Sequence, residues 1–70
     1  MQRVPVASSN IAAIGYHQET RILEVEFRNG TVYEYYDVPP AEHTRLMNAA
    51  SHGTYFHAHI RDRYRCRRVR

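Results

Sequence analysis

The sequence of 70 residues contains no lysine, no tryptophan and only one cysteine, Cys66. A single cysteine excludes an internal disulfide and suits a reducing compartment. No stretch approaches the ~20 apolar residues of a membrane-spanning helix, and the opening MQRVPVASSN lacks the apolar run of a secretory signal. We therefore expect a cytoplasmic protein that has no membrane partner.

Because lysine is missing, all ten basic side chains are arginines, and six of them lie in the last ten residues, RDRYRCRRVR. This segment, residues 61–70, carries a formal charge of 6 − 1 = +5, whereas the other 60 residues carry 4 − 6 = −2. Arginine binds phosphate with two parallel hydrogen bonds in a way that lysine cannot. The charge distribution therefore singles out the C-terminal segment as a candidate anion-binding surface.

The length allows one domain, residues 1–70, which buries only about 60% of the surface of the unfolded chain. Three segments have the pattern of strands: IAAIGY, RILEVEF and TVYEYYDV. In the second segment Leu23, Val25 and Phe27 alternate with Glu24 and Glu26, so that the apolar and acidic side chains lie on opposite faces. In the segment AEHTRLMNAA, which comes after the third strand, the less polar residues recur at helical spacing.

Two short helices are predicted after Pro39-Pro40, which ends the third strand and begins the first helix. We expect Gly53 to end that helix and Thr54 to cap the second one, along which Phe56 and Ile60 are four residues apart. The predicted fold is α+β, a three-stranded antiparallel β-meander followed by two short helices packed on one face (β-β-β-α-α).

The loop RNG between the second and third strands decides the role of Tyr33 and Tyr35. A two-residue turn at Asn29-Gly30 places both rings on the face of the glutamates, where they could stack on bases. A three-residue loop with a bulge at Gly30 pairs Val25 with Tyr33 and makes the rings part of the core. We favour the bulged loop, because it gathers the apolar side chains on one face and leaves Glu24, Glu26 and Glu34 to water.

The predicted core consists of Ile14, Leu23, Val25, Phe27, Tyr33, Tyr35, Leu46, Met47, Phe56 and Ile60. Replacing Phe27 with alanine should therefore cost about 3 to 5 kcal/mol of stability. Tyr36 follows Tyr35 directly, so we expect it on the opposite, acidic face.

The order SSNIAAIGY, LEVEFRNGTVYEYYDVPP, RLMNAASHGTYF and HIRDRYRCRRV resembles the KTSC domain family, over about residues 8–69. The positions that match its motif are Phe27, Gly30, Tyr33, Tyr35, Val38, Pro39, Gly53, Phe56 and Ile60, which we interpret as structural. The resemblance implies a short bacterial domain that is found alone and at the C-terminus of some lysyl-tRNA synthetases. That association points to RNA.

The nucleic-acid hypothesis assigns RNA or single-stranded DNA to the C-terminal segment. Its candidate binding residues are Arg61, Arg63, Tyr64, Arg65, Arg67, Arg68 and Arg70. Three to six phosphate contacts on a single strand predict a slope of log affinity against log salt of roughly −2 to −4. The alternative is a protein-protein interaction or structural module that self-associates through open strand edges, with a solvated C-terminal segment that keeps the protein soluble.

No pattern of catalytic or metal-binding residues stands out. Nucleophile elbows, paired catalytic carboxylates and glycine-rich phosphate loops are missing, so we expect no enzymatic activity and no cofactor. Of the five histidines, His57 and His59 have the closest spacing, but on a helix their rings point roughly 200° apart. We expect no metal site.

Overall fold

The computed structural model describes residues 3–70, which form a five-stranded antiparallel sheet with two helices on one face. The elements are β1 (Arg3–Pro5), β2 (Ile11–His17), β3 (Ile22–Phe27), β4 (Val32–Tyr35), α1 (Pro40–Met47), α2 (His52–His59) and β5 (Cys66–Arg68). The strands follow one another across the sheet in chain order, so β5 pairs with β4 although both helices lie between them in sequence. The α+β class is confirmed, but the predicted number of three strands is wrong, because β1 and β5 extend the meander at its two edges.

The β3–β4 hairpin adopts the three-residue loop. Val25 lies opposite Tyr33, and the Phe27 amide donates to the Thr31 carbonyl at 2.8 Å. Gly30 has a φ of +92°, in the left-handed region that glycine adopts most easily. The bulged register is therefore confirmed, and the two rings of the Tyr-x-Tyr motif lie on the core face of the sheet.

The core fills the space between this face and the helices. Its buried side chains are Ile11, Ile14, Leu23, Val25, Tyr35, Val38, Leu46, Phe56 and Ile60. Three residues of the predicted core, Phe27, Tyr33 and Met47, are partly buried and pack against this cluster. The predicted core omits Ile11 and Val38, which are fully buried.

Helix α1 is shorter than its apolar pattern suggests, and α2 begins earlier than predicted. Helix α1 begins after Pro39, as predicted, but it ends at Met47. Ser51 caps α2, since its hydroxyl accepts the Thr54 amide at 3.2 Å. The expectations that Gly53 ends α1 and that Thr54 caps α2 are therefore wrong.

Gly53 lies in the first turn of α2 and has a packing role. A β-carbon at this position would lie 2.9 Å from Asn10 Oδ1 and 3.5 Å from Ser8 Oγ. The absence of a side chain thus lets the helix approach the loop between β1 and β2 closely.

The outer face of the sheet, opposite the helices, carries paired charges. Arg3 of β1 forms an ion pair with Glu24, and its Nε lies 3.1 Å from Glu26 Oε1. The hydrogen bond with Glu24 raises the pKa of Arg3. Glu24 is only 8% exposed, so the expectation that it faces water is wrong; the missed strand β1 brings its partner. The Tyr36 hydroxyl donates to Glu34 at 3.1 Å, which confirms the predicted face of Tyr36.

A buried carboxylate connects the helices to the C-terminal segment. Glu42, in the first turn of α1, accepts hydrogen bonds from the hydroxyls of Tyr55 and Tyr64, the latter at 2.9 Å. Burial by itself would raise the pKa of Glu42, but these two hydrogen bonds and the Arg63 guanidinium hold the pKa below its ordinary value. This network fixes the turn that leads into β5.

Candidate nucleic-acid interface

The C-terminal segment directs its side chains to two different surfaces. In β5, Cys66 lies opposite Tyr35 and Arg68 opposite Tyr33, whereas Arg67 lies opposite Glu34. Directly opposed residues in antiparallel strands share a face of the sheet. Cys66 and Arg68 therefore lie on the side of the tyrosines, and Arg67 lies on the acidic outer face.

Four of the six arginines in residues 61–70 have a carboxylate nearby. The pairs are Arg63–Glu42 at 3.9 Å, Arg65–Asp37 at 3.7 Å, Arg67–Glu34 at 4.0 Å and Arg70–Glu26 at 3.2 Å. The arginine side chains of these pairs are exposed, so the pairs add little stability, but each places a negative charge beside the guanidinium group. The six arginines therefore do not form one continuous basic stripe, because β5 and the preceding turn bring four of them beside acids.

Arg61 and Arg68 are the two arginines of this segment that form no ion pair with an Asp or Glu side chain among residues 3–70. Arg61 contacts His57 Nδ1 at 3.4 Å, and the Nε of Arg68 donates to the Arg70 carbonyl at 3.1 Å. Both side chains are exposed. Their positive charge is available to a ligand.

Arg61 and Arg68 line the same cavity, a cleft of about 580 Å³, here called the aromatic cleft. Four rings line it: Phe27, Tyr33, Tyr35 and Phe56. The polar side chains around it include Arg61, Arg68, His57, Asp62 and Cys66. The rings support one another edge to face, with centroids 5.4 Å apart for Tyr35 and Phe56 and 5.5 Å apart for Phe27 and Phe56. The surface thus combines aromatic rings with two guanidinium groups.

The two tyrosines of the cleft differ from the others in their hydroxyls. The hydroxyls of Tyr16, Tyr36, Tyr55 and Tyr64 each donate to a carbonyl or carboxylate oxygen. Tyr33 and Tyr35 make no such bond within residues 3–70. Only 4% of Tyr35 is exposed, and burial raises the pKa of its hydroxyl to about 12, so the group stays protonated and able to donate at neutral pH.

The Tyr35 hydroxyl is open to the cleft. Within residues 3–70, His52 Nδ1 is the one side-chain nitrogen or oxygen that is both fully inaccessible and without a hydrogen-bond partner. The Tyr35 hydroxyl also has no partner, so it is not fully inaccessible, and Tyr35 lines the cleft. Buried donors are nearly always satisfied by protein, water or ligand. The cleft therefore offers a hydroxyl donor that no protein group uses.

Tyr64, which the sequence analysis named as a candidate binding residue, does not line the cleft. It is half-buried, its hydroxyl is held by Glu42, and the Arg63 guanidinium carbon lies 5.8 Å from its ring centroid. Val38, Phe56 and Ile60 of the family motif are buried in the core. Within the motif, Tyr33 and Tyr35 are the polar side chains that line the cleft.

Sequence reasoning missed five residues of the cleft: Asn29, Thr31, His57, Asp62 and Cys66. His57 directly follows the core residue Phe56, and Cys66 precedes Arg68 by two positions. Because residues two apart in a strand share a face, a prediction of β5 would have placed Cys66 beside Arg68. His57 and His59 do not converge: His57 lies near Arg61, whereas the His59 ring packs against the Tyr55 ring, with centroids 4.4 Å apart and an interplanar angle of 36°. No group of three or more His, Cys, Asp or Glu side chains in residues 3–70 is arranged to hold a metal ion.

Residues 3–70 contain no helix that is both long and apolar enough to span a bilayer.

Comparison with known proteins supports the resemblance seen in the sequence. The KTSC domain model matches residues 7–64. The crystal structure of a KTSC domain protein from Yersinia pestis superposes with a TM-score of 0.94 at 41% identity, over 99% of this chain and 97% of that one. An uncharacterized protein from Stutzerimonas stutzeri is 45% identical over 56 residues, which are 80% of this chain and 79% of that protein.

A longer relative carries the same region as a part. A lysine–tRNA ligase from Nostoc punctiforme is 40% identical over 57 residues, which cover 81% of this chain but only 10% of the ligase. From the family match over residues 7–64 and the similarity to the Yersinia pestis domain over 99% of this chain, it follows that the chain belongs to the KTSC domain family.

Proposed function

We propose that this protein is a small cytoplasmic, non-enzymatic module that binds single-stranded RNA, with the aromatic cleft as its contact surface. The observation that carries the proposal is the position of two C-terminal arginines: Arg61 and Arg68, which form no ion pair with an Asp or Glu side chain among residues 3–70, both lie at the cleft that holds Tyr33. Aromatic rings beside free guanidinium groups are the usual composition of single-strand binding surfaces.

RNA is favoured over DNA by the kind of protein in which a related domain occurs. The Nostoc punctiforme relative in which this region recurs is a lysine–tRNA ligase. A single strand is favoured over a duplex because the rings lie in a concave cleft, which paired and stacked bases cannot enter.

The number of free arginines sets the expected salt dependence. Each phosphate contact on a single strand contributes about −0.7 to the slope of log affinity against log salt, so two contacts predict a slope of about −1.4. This is shallower than the −2 to −4 expected from the sequence, because we assign phosphate contacts only to Arg61 and Arg68, and each contact releases counterions from the RNA.

Fluorescence anisotropy with a labelled single-stranded RNA of mixed sequence and its duplex, over a series of salt concentrations, tests the proposal. We expect binding of the single strand with the slope given above and weaker binding of the duplex. Absence of salt-sensitive binding to the single strand at low ionic strength would refute the proposal.

Self-association is the second candidate, and exposed valines at both edges of the sheet favour it. Val4 in β1 is 52% exposed and Val69 beyond β5 is 39% exposed. However, Pro5 and the arginines of β5 are residue types that block edge-to-edge pairing. Sedimentation of the pure protein decides the matter: a monomer at all accessible concentrations excludes self-association as the function.

A further inference from the structure

We propose that the aromatic cleft is a binding site for one unpaired nucleotide, with the base against Tyr33 and the adjoining phosphate on Arg61 and Arg68. The inference rests on the proposed RNA binding, but it goes further, since it assigns the ligand unit and the role of each side chain. An electrostatic surface alone would bind RNA without accepting a nucleotide in the cleft.

The position of the base follows from the burial and the orientation of the tyrosine rings in the cleft. Tyr33 is half-buried, and its ring is held by Phe27 at a centroid distance of 6.0 Å and an interplanar angle of 81°. Tyr35, 6.4 Å from Tyr33, is buried and forms the floor with Phe56. Tyr33 therefore combines a fixed orientation with partial access from the cleft, which is what stacking on a base requires.

The phosphate position follows from the charges of the lining residues. Arg61 and Arg68 contribute two positive charges, and Asp62 is the one carboxylate among the cleft-lining residues, which leaves 2 − 1 = +1. This net charge matches a single phosphodiester, which carries one negative charge. Arg61 contacts His57 through Nη1, and Arg68 contacts the Arg70 carbonyl through Nε, so Arg61 keeps Nη2 and Arg68 keeps both terminal nitrogens for the phosphate oxygens.

The unused hydroxyl of Tyr35 is a second, independent indication of a ligand. It belongs to a side chain that is 4% exposed, it has no hydrogen-bond partner within residues 3–70, and it lines the cleft. Phosphate and base oxygens are acceptors that would satisfy this donor. The cavity of about 580 Å³ lies within the range of roughly 300 to 1,000 Å³ that is typical of small-ligand sites.

The test is an NMR titration of the isotopically labelled protein with AMP, adenosine and inorganic phosphate. We expect AMP to shift the amide signals of the cleft-lining residues and to bind at least about tenfold more tightly than either of its parts, because the ring and the arginines act together. Tyr33→Leu should weaken AMP binding by about 5- to 150-fold, the range for removal of one stacking ring, whereas Tyr33→Phe should keep it.

Matched arginine variants keep the test decisive if Tyr33→Leu fails to fold. Arg61→Gln should weaken AMP binding at least about fivefold, and Arg65→Gln, at another exposed arginine that lies beside Asp37, should leave it unchanged. Both are surface changes, for which circular dichroism confirms folding.

The outcomes separate the two proposals. If AMP does not bind, or binds no better than inorganic phosphate, while single-stranded RNA still binds, the nucleotide site is wrong and the proposed function stands. If neither AMP nor RNA binds, both are wrong. Competition between AMP and RNA, lost in Arg61→Gln, supports both.

Discussion

Replacing Glu42 with glutamine should destabilise the protein at neutral pH and much less in acid. The carboxylate is 4% exposed and accepts hydrogen bonds from Tyr55 and Tyr64. A hydrogen bond to a charged group contributes about 1 kcal/mol more than a neutral one, so two such bonds predict a loss of roughly 2 kcal/mol in Glu42→Gln. In a domain of this size that corresponds to a fall in Tm of about 8 to 16 °C.

The direction of the pH dependence follows from the lowered pKa of Glu42. A carboxyl whose pKa is lower in the folded than in the unfolded protein stabilises the fold above its unfolded pKa of about 4.3. That contribution is lost as the pH falls through the folded pKa. The difference between the parent and Glu42→Gln should therefore be full at neutral pH and should shrink once the carboxyl is protonated.

Urea unfolding of both proteins at a series of pH values measures this difference. Glu19→Gln is a suitable control, because Glu19 is exposed in the β2–β3 turn and has no ion pair within residues 3–70; it should change stability by less than about 0.5 kcal/mol. The reasoning is refuted if Glu42→Gln is as stable as the parent at neutral pH, or if its deficit is the same in acid.

Three further stability predictions can be checked by the same unfolding assay. Phe56→Ala should cost about 3 to 5 kcal/mol, and Phe27→Ala less than Phe56→Ala, because Phe56 is fully buried and Phe27 is not; equal losses would contradict this order. Arg3→Gln should cost about 1 to 3 kcal/mol at neutral pH by leaving the buried Glu24 without its cation, and a neutral result would show that β1 is not held this way. Gly30→Ala should cost about 1 to 2 kcal/mol, since the site has room for a methyl group but a φ of +92°; an unchanged stability would contradict the bulged loop.

The middle of the fold could be predicted from the sequence because its signals are local. The alternation around Val25 sets the faces of β3, and the clustering of apolar side chains selects the bulged hairpin over the two-residue turn. The resulting core assignment holds for most positions. Pro39 marks the start of α1 correctly, for the steric reasons that restrict proline.

The edge strands β1 and β5 could not be predicted, because each has only three residues, which is too short to show the alternation of apolar and polar side chains that indicates a strand. Strand β5 consists of Cys66–Arg68, whose composition reads as a solvated charged segment, and it becomes a strand only because β4 offers a free edge. The role of Glu42 is equally invisible in sequence, since its two tyrosine partners lie 13 and 22 residues further along the chain.

The site was predictable in part. The arginine-rich segment and the Tyr-x-Tyr motif were both identified, but as separate features. Their meeting in one cleft depends on the pairing of Arg68 with Tyr33, and the neutralisation of Arg67 depends on its pairing with Glu34. Both follow from the β4–β5 register, which no local pattern sets.

The most direct test of the central claim, that the free arginines of the cleft bind the RNA, compares two double variants for affinity to the same single-stranded RNA. Arg61→Gln with Arg68→Gln removes the two free charges, and Arg65→Gln with Arg67→Gln removes equal charge beside Asp37 and Glu34. A slope of about −1.4 for two phosphate contacts, taken from a reference of about 1 M salt down to about 50 mM, predicts roughly 60-fold weaker binding for the first variant. The account predicts that loss for the first variant and a change of less than about threefold for the second. Equal losses in the two variants, or a larger loss in the second, would contradict it.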